Sequence, residues 1–291
     1  MATRASMKPS KVDNVLEFDQ EAIRRTEAAV ALESDEEIIA RLRERFEILD
    51  EMTKAVRSGD IRAMIVSGPP GVGKSFGVEA VLQKDGLFDV LADRKPKFEV
   101  VKGAMSSIGL YAKLYEFSAA GNVVVFDDCD DILHEEQSLN TLKGALDSSE
   151  RRFISWNTDS RILRSEGIPD RFEFKGAAIF ITNIKFEHVR SKKLRSHLDA
   201  LESRCHYIDL QMDTPREKIL RIRQIVGDGM LDRYDFTEPA VVAEELVNYV
   251  VANQDRLREL SLRMVLKLAD LRKRFPSTWT AMARTTCMKR V

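Results

Sequence analysis

Between Ile61 and Ile208 the sequence sets short apolar segments into a background of helical periodicity. They are Met64-Ile65-Val66, Phe98-Glu99-Val100-Val101, Val123-Val124-Val125-Phe126, Ala178-Ile179-Phe180-Ile181 and Tyr207-Ile208. A strand with one wet face alternates polar and apolar residues, whereas these segments offer apolar side chains to both faces. That pattern suits a parallel sheet with helices as crossovers on either side, an α/β fold. The flanking helices are marked as well. Ser34-Asp35-Glu36-Glu37 is a capping box opening a helix whose apolar face is Ile38, Ile39, Leu42, Phe46, Leu49 and Met52, ended at Ser58-Gly59. Beyond Asp213 the strand signal stops. Thr214-Pro215-Arg216-Glu217 is a second capping box with proline at the first helical position, and the rest reads as helices over about 215–228, 238–252, 257–274 and 277–288. The expected division is a polar N-terminal extension with a helical stretch after Asn14 (1–33), an α/β core (34–213) and a small all-α C-terminal lid (214–291).

Composition excludes several classes. With 44% apolar and 32% charged residues in 291, the chain has enough apolar content to bury a core, unlike a disordered sequence. The 46 basic and 47 acidic residues nearly cancel, so attraction to nucleic acid or to an anionic surface must come from local patches. Cys129, Cys205 and Cys287 have neither disulfide-framework nor zinc-site spacing, and the four histidines are scattered. Reduced thiols in a cytoplasmic setting are the expectation. No apolar run approaches the roughly 18 residues of a membrane span, and Met1 to Asn14 lacks the apolar core of a secretory signal. No membrane partner is expected.

Gly68-Pro69-Pro70-Gly71-Val72-Gly73-Lys74-Ser75 matches G-x-x-x-x-G-K-[ST] at every fixed position, with a strand before it and a helix after it. Glycines let backbone N–H groups turn inward around phosphates, and a helix N-terminus adds partial positive charge. The residues Gly68 to Phe76 are therefore expected to hold the phosphates of a nucleotide. Lys74 would neutralise the β- and γ-phosphates, and Ser75 would bind Mg²⁺. The competing interpretation is a glycine-rich turn with an exposed lysine. Val123 to Phe126 ends in Asp127-Asp128, carboxylates at the end of a buried strand, where an open parallel sheet places its active site. Asp127 suits the shell of Mg²⁺, a hard cation that keeps several waters, and Asp128 would orient and deprotonate an attacking water.

These motifs, with three later features, resemble the AAA+ ATPases over about residues 35–275. The resemblance implies a P-loop AAA+ core whose parallel sheet is sandwiched by helices, with a helical lid. It implies that Asn183, ending the strand Ala178 to Thr182, is the polar residue that senses the γ-phosphate. Leu201-Glu202-Ser203-Arg204-Cys205 is similar to the segment that carries the arginine finger, so Arg204 would complete a neighbouring subunit's site. A salt bridge of Arg204 with Glu202 or Asp199 is the ordinary alternative, and Arg190 and Arg195 are competitors for the role. Leu260-Ser261-Leu262-Arg263 is similar to the lid segment whose arginine reaches back to the γ-phosphate, here Arg263. The family usually ends its second motif in Asp-Glu. Asp128 is a methylene shorter, so slow hydrolysis or a nucleotide switch is the alternative to a competent motor.

The resemblance also implies a closed homo-oligomeric ring, a hexamer, with ATP between subunits. Residues 151–175 read as an inserted β-hairpin around a basic loop (Arg161, Arg164), placed as in members with a hairpin before the sensor strand. Two basic tracts, Lys185 to Arg195 and Leu271 to Val291, offer phosphate contacts for nucleic acid, although solvated helix faces account for them equally. The segment Lys102 to Tyr111 would face a ring's pore, and its Ile108-Gly109 only partly matches the apertures of protein-threading members. Nucleic-acid remodelling is thus the first expectation for function, and a protein client or adaptor, or a slow-turnover scaffold, the alternatives. The compact layout is similar to short AAA+ proteins of tailed bacteriophages, which would place the protein in a bacterial host's cytoplasm.

Overall fold

The computed structural model describes residues 32–91, 95–186, 189 and 191–290. The expected N-terminal extension lies almost wholly outside these residues, as does Arg190. Five parallel strands, β1 (Ala63–Ser67), β2 (Phe98–Lys102), β3 (Val123–Asp127), β6 (Ala177–Thr182) and β7 (His206–Asp209), form one sheet in the order β2-β3-β6-β1-β7. A two-stranded antiparallel ribbon, β4 (Phe153–Ser155) with β5 (Arg171–Glu173), stands apart from it. β1, β3 and β6 are buried along their whole length, because both of their faces are covered.

The two faces divide by the period of two. Met64, Val66, Val123, Val125, Ile179 and Ile181 pack under α1 (Asp35–Ser58) and α2 (Lys74–Leu91), against Leu49, Val56, Val78 and Leu82. Ala63, Ile65, Val124, Phe126, Ala178 and Phe180 face the other way. They meet α3 (Ser107–Glu116), α4 (Asp131–His134), α5 (Glu136–Ala145) and α7 (Lys192–Glu202), and the Phe126 and Phe180 rings stack at 5.3 Å. The ribbon joins this second layer through Ile154, Trp156 and Phe172. Trp156 and Phe172 both lie against the Tyr111 ring, at 5.4 and 5.1 Å, so Trp156 is a packing residue.

After β7 the chain is helical: α8 (Pro215–Gly227), α9 (Pro239–Ala252), α10 (Leu262–Arg274) and α11 (Trp279–Thr286) share an apolar core of their own. The α8 start is fixed by the Thr214–Glu217 capping box. Buried Glu217 also takes Arg41 of α1 at 3.2 Å, joining this region to the first layer. The chain is therefore a mixed α/β fold, a parallel sheet flanked by helices, with a small α-helical C-terminal region.

Three local expectations change. The helix expected from residue 257 begins at Leu262, because Leu257 forms an antiparallel bridge with Met288 and Ser261 caps the helix. Within the ribbon, Arg161 and Arg164 sit on a short helix, α6 (Arg161–Ser165), capped by Ser160, instead of an open loop. Ile108 and Gly109 lie in the first turn of α3 under the Ser106 cap, and Ile108 packs against the core, so they are not part of an open loop.

Candidate functional site

Except for Arg204, the site residues singled out from sequence converge at the C-terminal ends of β1, β3 and β6. β1 runs straight into the loop Gly68–Ser75, and α2 starts at Lys74. Gly71 and Gly73 adopt left-handed φ of +73° and +105°, which side-chain-bearing residues rarely take and which lets successive N–H groups turn to one side. No acidic residue occupies the first turn of α2, whereas α1 carries three there, so the positive end of α2 is left unneutralised. Pro69 and Gly71 are half-buried, Gly68 and Val72 are buried, and Pro70 lies at the surface. The Phe76 side chain is 79% exposed, so only its backbone belongs to the loop's inner side.

Lys74 is buried, and its ammonium donates to Gly68 O (2.6 Å), Pro69 O (2.9 Å) and Asn183 Oδ1 (2.8 Å). Burial pushes its pKa down to about 8; the Arg263 charge adds to the depression, and the nearby Asp128 and Asp127 oppose it. Asn183 in turn donates from Nδ2 to Asp128 Oδ1 at 2.8 Å. Asp128 has a positive φ of 53°, strain that holds its carboxylate at the surface beside Asn183 rather than continuing β3. One hydrogen-bonded line thus joins the loop, the end of β6 and the end of β3.

Behind it, Ser75 Oγ donates to Asp127 Oδ1 at 2.9 Å, and Asp127 is buried. These two side chains offer hard oxygen donors of the kind that suit Mg²⁺. Among the described residues no group of three His, Cys, Asp or Glu side chains is arranged for a metal. The donor set still fits Mg²⁺, which binds through one or two protein oxygens when phosphate and water complete its shell.

Two neighbours escaped the sequence reading. Lys102, which pairs in register with Asp127 across the sheet, reaches its Oδ2 at 3.5 Å and also bonds Glu79. Asp130 accepts from Thr182 Oγ1 at 2.7 Å, and its carboxyl is raised by burial. The run Asp127-Asp128-Cys129-Asp130 was the available signal for Asp130; nothing marked Lys102.

The C-terminal helical region closes over the loop. Leu262 N–H donates to Gly71 O at 2.8 Å, and a Cβ on Gly71 would lie 2.7 Å from Ser261 Cβ and 3.6 Å from Arg263 Cγ. Arg263 is thereby brought to the loop. Arg204 is not. It stands between α7 and β7, whose register (Met64 with His206, Ser67 with Asp209) puts it at the opposite end of the sheet. At the rise of a strand, the separation along the sheet is about 20 Å. Arg204 bonds Ala200 O and leaves a buried Nε without a partner, while its proposed mates have other ties: Asp199 pairs with Arg195 at 3.0 Å.

The basic tracts are partly engaged. Lys185 pairs with Asp213, Lys193 with Glu136 and Arg272 with Glu245. On the ribbon, exposed Phe153 lies between the Arg151 and Arg171 guanidiniums at 5.0 and 4.4 Å, but Arg151 also bonds Glu173. A cavity of about 190 Å³ lies away from the loop, at the other end of the sheet, lined by Arg62, Glu150, Arg152 and Lys175 among others. No helix among the described residues is long and apolar enough to cross a membrane.

No family model matches the chain. It is similar to the "Uncharacterized 36.7 kDa protein in nrdC-mobD intergenic region" of Enterobacteria phage T4, with 32% identity over 254 residues, which span 86% of this chain and 76% of the phage protein.

Proposed function

The chain belongs to the family of this phage T4 protein, and we propose that it is a Mg²⁺-dependent ATPase with an AAA+ core. The observation that carries this reading is the hydrogen-bonded line Lys74–Asn183–Asp128 beside the Ser75–Asp127 pair. Cationic and amide donors stand beside two carboxylates, a set suited to a phosphate chain and its counterion.

In this reading the three acceptors of the Lys74 ammonium give way to phosphate oxygens. Positive charge from Lys74, Arg263 and the α2 N-terminus then stabilises the charge that spreads over the transferring phosphoryl group. Ser75 and Asp127 would hold Mg²⁺, which would supply further charge neutralisation. Asp128 accepts a proton from the attacking water, and Asn183, already bonded to it, fixes the direction of that carboxylate. Asn183 also touches Lys74, so it is placed to register what the lysine binds. Arg204 lies too far along the sheet to serve its own loop, and so acts on the loop of an adjoining copy in a ring.

Remodelling or translocation of nucleic acid is the proposed use of the hydrolysis, in which exposed Arg171 beside Phe153 offers a basic contact to the phosphate backbone. The test is ATP turnover by the purified protein alone and with single-stranded DNA, duplex DNA or an unfolded polypeptide, at low and moderate salt. Salt-sensitive stimulation by DNA is expected. Turnover raised by the polypeptide alone would move the assignment to a protein client, and no turnover or nucleotide binding under any condition would remove it.

A further inference from the structure

Arg221 of α8 is a buried cation that no described carboxylate contacts, Asp228 and Asp50 attracting it only from beyond ion-pair distance. It is 6% exposed, and no carboxylate lies within salt-bridge distance of it among the described residues. One terminal nitrogen, Nη1, bonds Gln224 Oε1 at 2.6 Å; Nε is buried with no partner. The guanidinium lies 3.5 Å from the centre of the Phe46 ring. Its other terminal nitrogen, Nη2, is 4.0 Å from the position a Cβ on Gly73 would take, and Leu262 and Phe46 line the same spot. Three elements therefore wedge this charge against the glycine loop: α1, α8 and the start of α10.

The energetics of this placement are incomplete without an anion. Desolvating a charge costs more than a well-buried cation–π contact returns. Arg152, the comparable buried arginine, is settled differently: its two terminal nitrogens take Ala145 O and Gly176 O at 2.9 and 3.0 Å. Arg221 has a free donor and a nearby loop built to receive negative charge.

We propose that Arg221 is a nucleotide-contacting residue, whose guanidinium pairs with an anionic oxygen of the phosphate chain when the loop is filled. This rests on the nucleotide reading of the loop, and it adds a second contact from the C-terminal helices besides Arg263. Because Arg221 belongs to α8, pairing with the ligand draws that helix toward the loop. Occupancy thereby sets the seating of the helical region.

The test compares the full-length protein with Arg221→Met, which keeps an unbranched stem on Phe46 and removes the charge. Affinities for ATP and for inorganic pyrophosphate are measured by calorimetry, and melting is followed with and without each ligand. Loss of one charge-assisted contact is expected to weaken both ligands by about tenfold or more. The unliganded melting temperature is expected to hold or rise, since an unpaired buried charge has gone. Unchanged affinity would overturn the inference, as would a lowered unliganded melting temperature with an intact ligand-induced shift, the signature of a structural arginine. Weakened ATP with unchanged pyrophosphate would place the contact on the nucleoside and overturn the phosphate assignment. Should Arg221→Met fail to fold, Arg221→Gln keeps a polar donor but removes the charge, and unchanged affinity there would also overturn it. A wild-type protein that binds neither ligand sinks the nucleotide reading itself, which is a different outcome from equal binding by wild type and variant.

Discussion

Replacing Gly71 by alanine tests whether the C-terminal helices are seated on the glycine loop, and Gly59→Ala supplies the control. Both glycines have left-handed φ, +73° and +89°. An alanine at either position therefore carries the left-handed penalty of about 1–2 kcal/mol. Their surroundings differ. A Cβ at Gly59 meets nothing within 4 Å, whereas one at Gly71 lies 2.7 Å from Ser261 Cβ and 3.1 Å from its Oγ. Ser261 must retreat. It caps α10 by accepting from Met264 N–H at 3.1 Å, and its neighbour Leu262 donates to Gly71 O at 2.8 Å. Loss of a cap and of one hydrogen bond adds about 2 kcal/mol in all. Gly71→Ala is thus expected to destabilise by about 3–4 kcal/mol and Gly59→Ala by about 1–2 kcal/mol. Urea unfolding monitored by circular dichroism measures both. Hydrogen exchange should show faster opening at Met264 in the Gly71 variant alone. Equal destabilisation by the two substitutions, with unchanged protection of α10, would refute the proposed seating.

The Lys74 pKa has a defined consequence for pH. The folded value is about 8 against 10.5 for the free side chain, so the folded chain binds its proton less tightly. The resulting penalty, about 3 kcal/mol, is fully present below pH 8 and disappears as pH rises from 8 toward 10.5. The stability of Lys74→Met relative to wild type should therefore decline across that window; a flat difference from pH 7 to 10 would remove the depressed lysine. Asp128→Asn keeps an oxygen for Asn183 and should bind ATP while slowing turnover by about 10²–10⁴-fold, and an undiminished rate would show that another group takes the proton. Trp156→Ala should lose about 3–5 kcal/mol in chemical unfolding, whereas Trp156→Phe, which deletes an indole N–H that has no partner, should be tolerated and leave any DNA stimulation intact. Subunits carrying Arg204→Ala mixed with Lys74→Ala subunits should recover part of the activity that each lacks alone. No recovery in intact assemblies would count against action between copies.

The sheet was legible because β1, β3 and β6 are covered on both faces, and full burial leaves the same apolar signature whatever helix does the covering. The loop was legible because its glycines and its lysine answer to local geometry, which a short segment can encode by itself. What stayed hidden depends on contacts between distant segments. Leu257 reads as a helix residue by period, yet it pairs with Met288 at the other end of the helical region, and that pairing delays the helix to Ser261. Lys102 reaches Asp127 only because β2 and β3 lie side by side in register. Arg221, between buried Leu220 and Ile222, carries no mark in the sequence, because its burial needs Phe46, Gly73 and Leu262 to meet around it.

A separate set of contacts shares one location. Gly71 touches Ser261, Gly73 faces Leu262 and Arg221, and Lys74 feels the charge of Arg263. Every one of them joins the loop to the C-terminal helices. A ligand that displaces the Lys74 ammonium from its carbonyls must therefore act on both sides of that seam at once. Its negative charge relieves the mutual repulsion of Lys74 and Arg263, and it gives Arg221 a partner. Under the proposed nucleotide reading, the same charge would hold the helical region down when the loop is filled and loosen it when the loop is vacated.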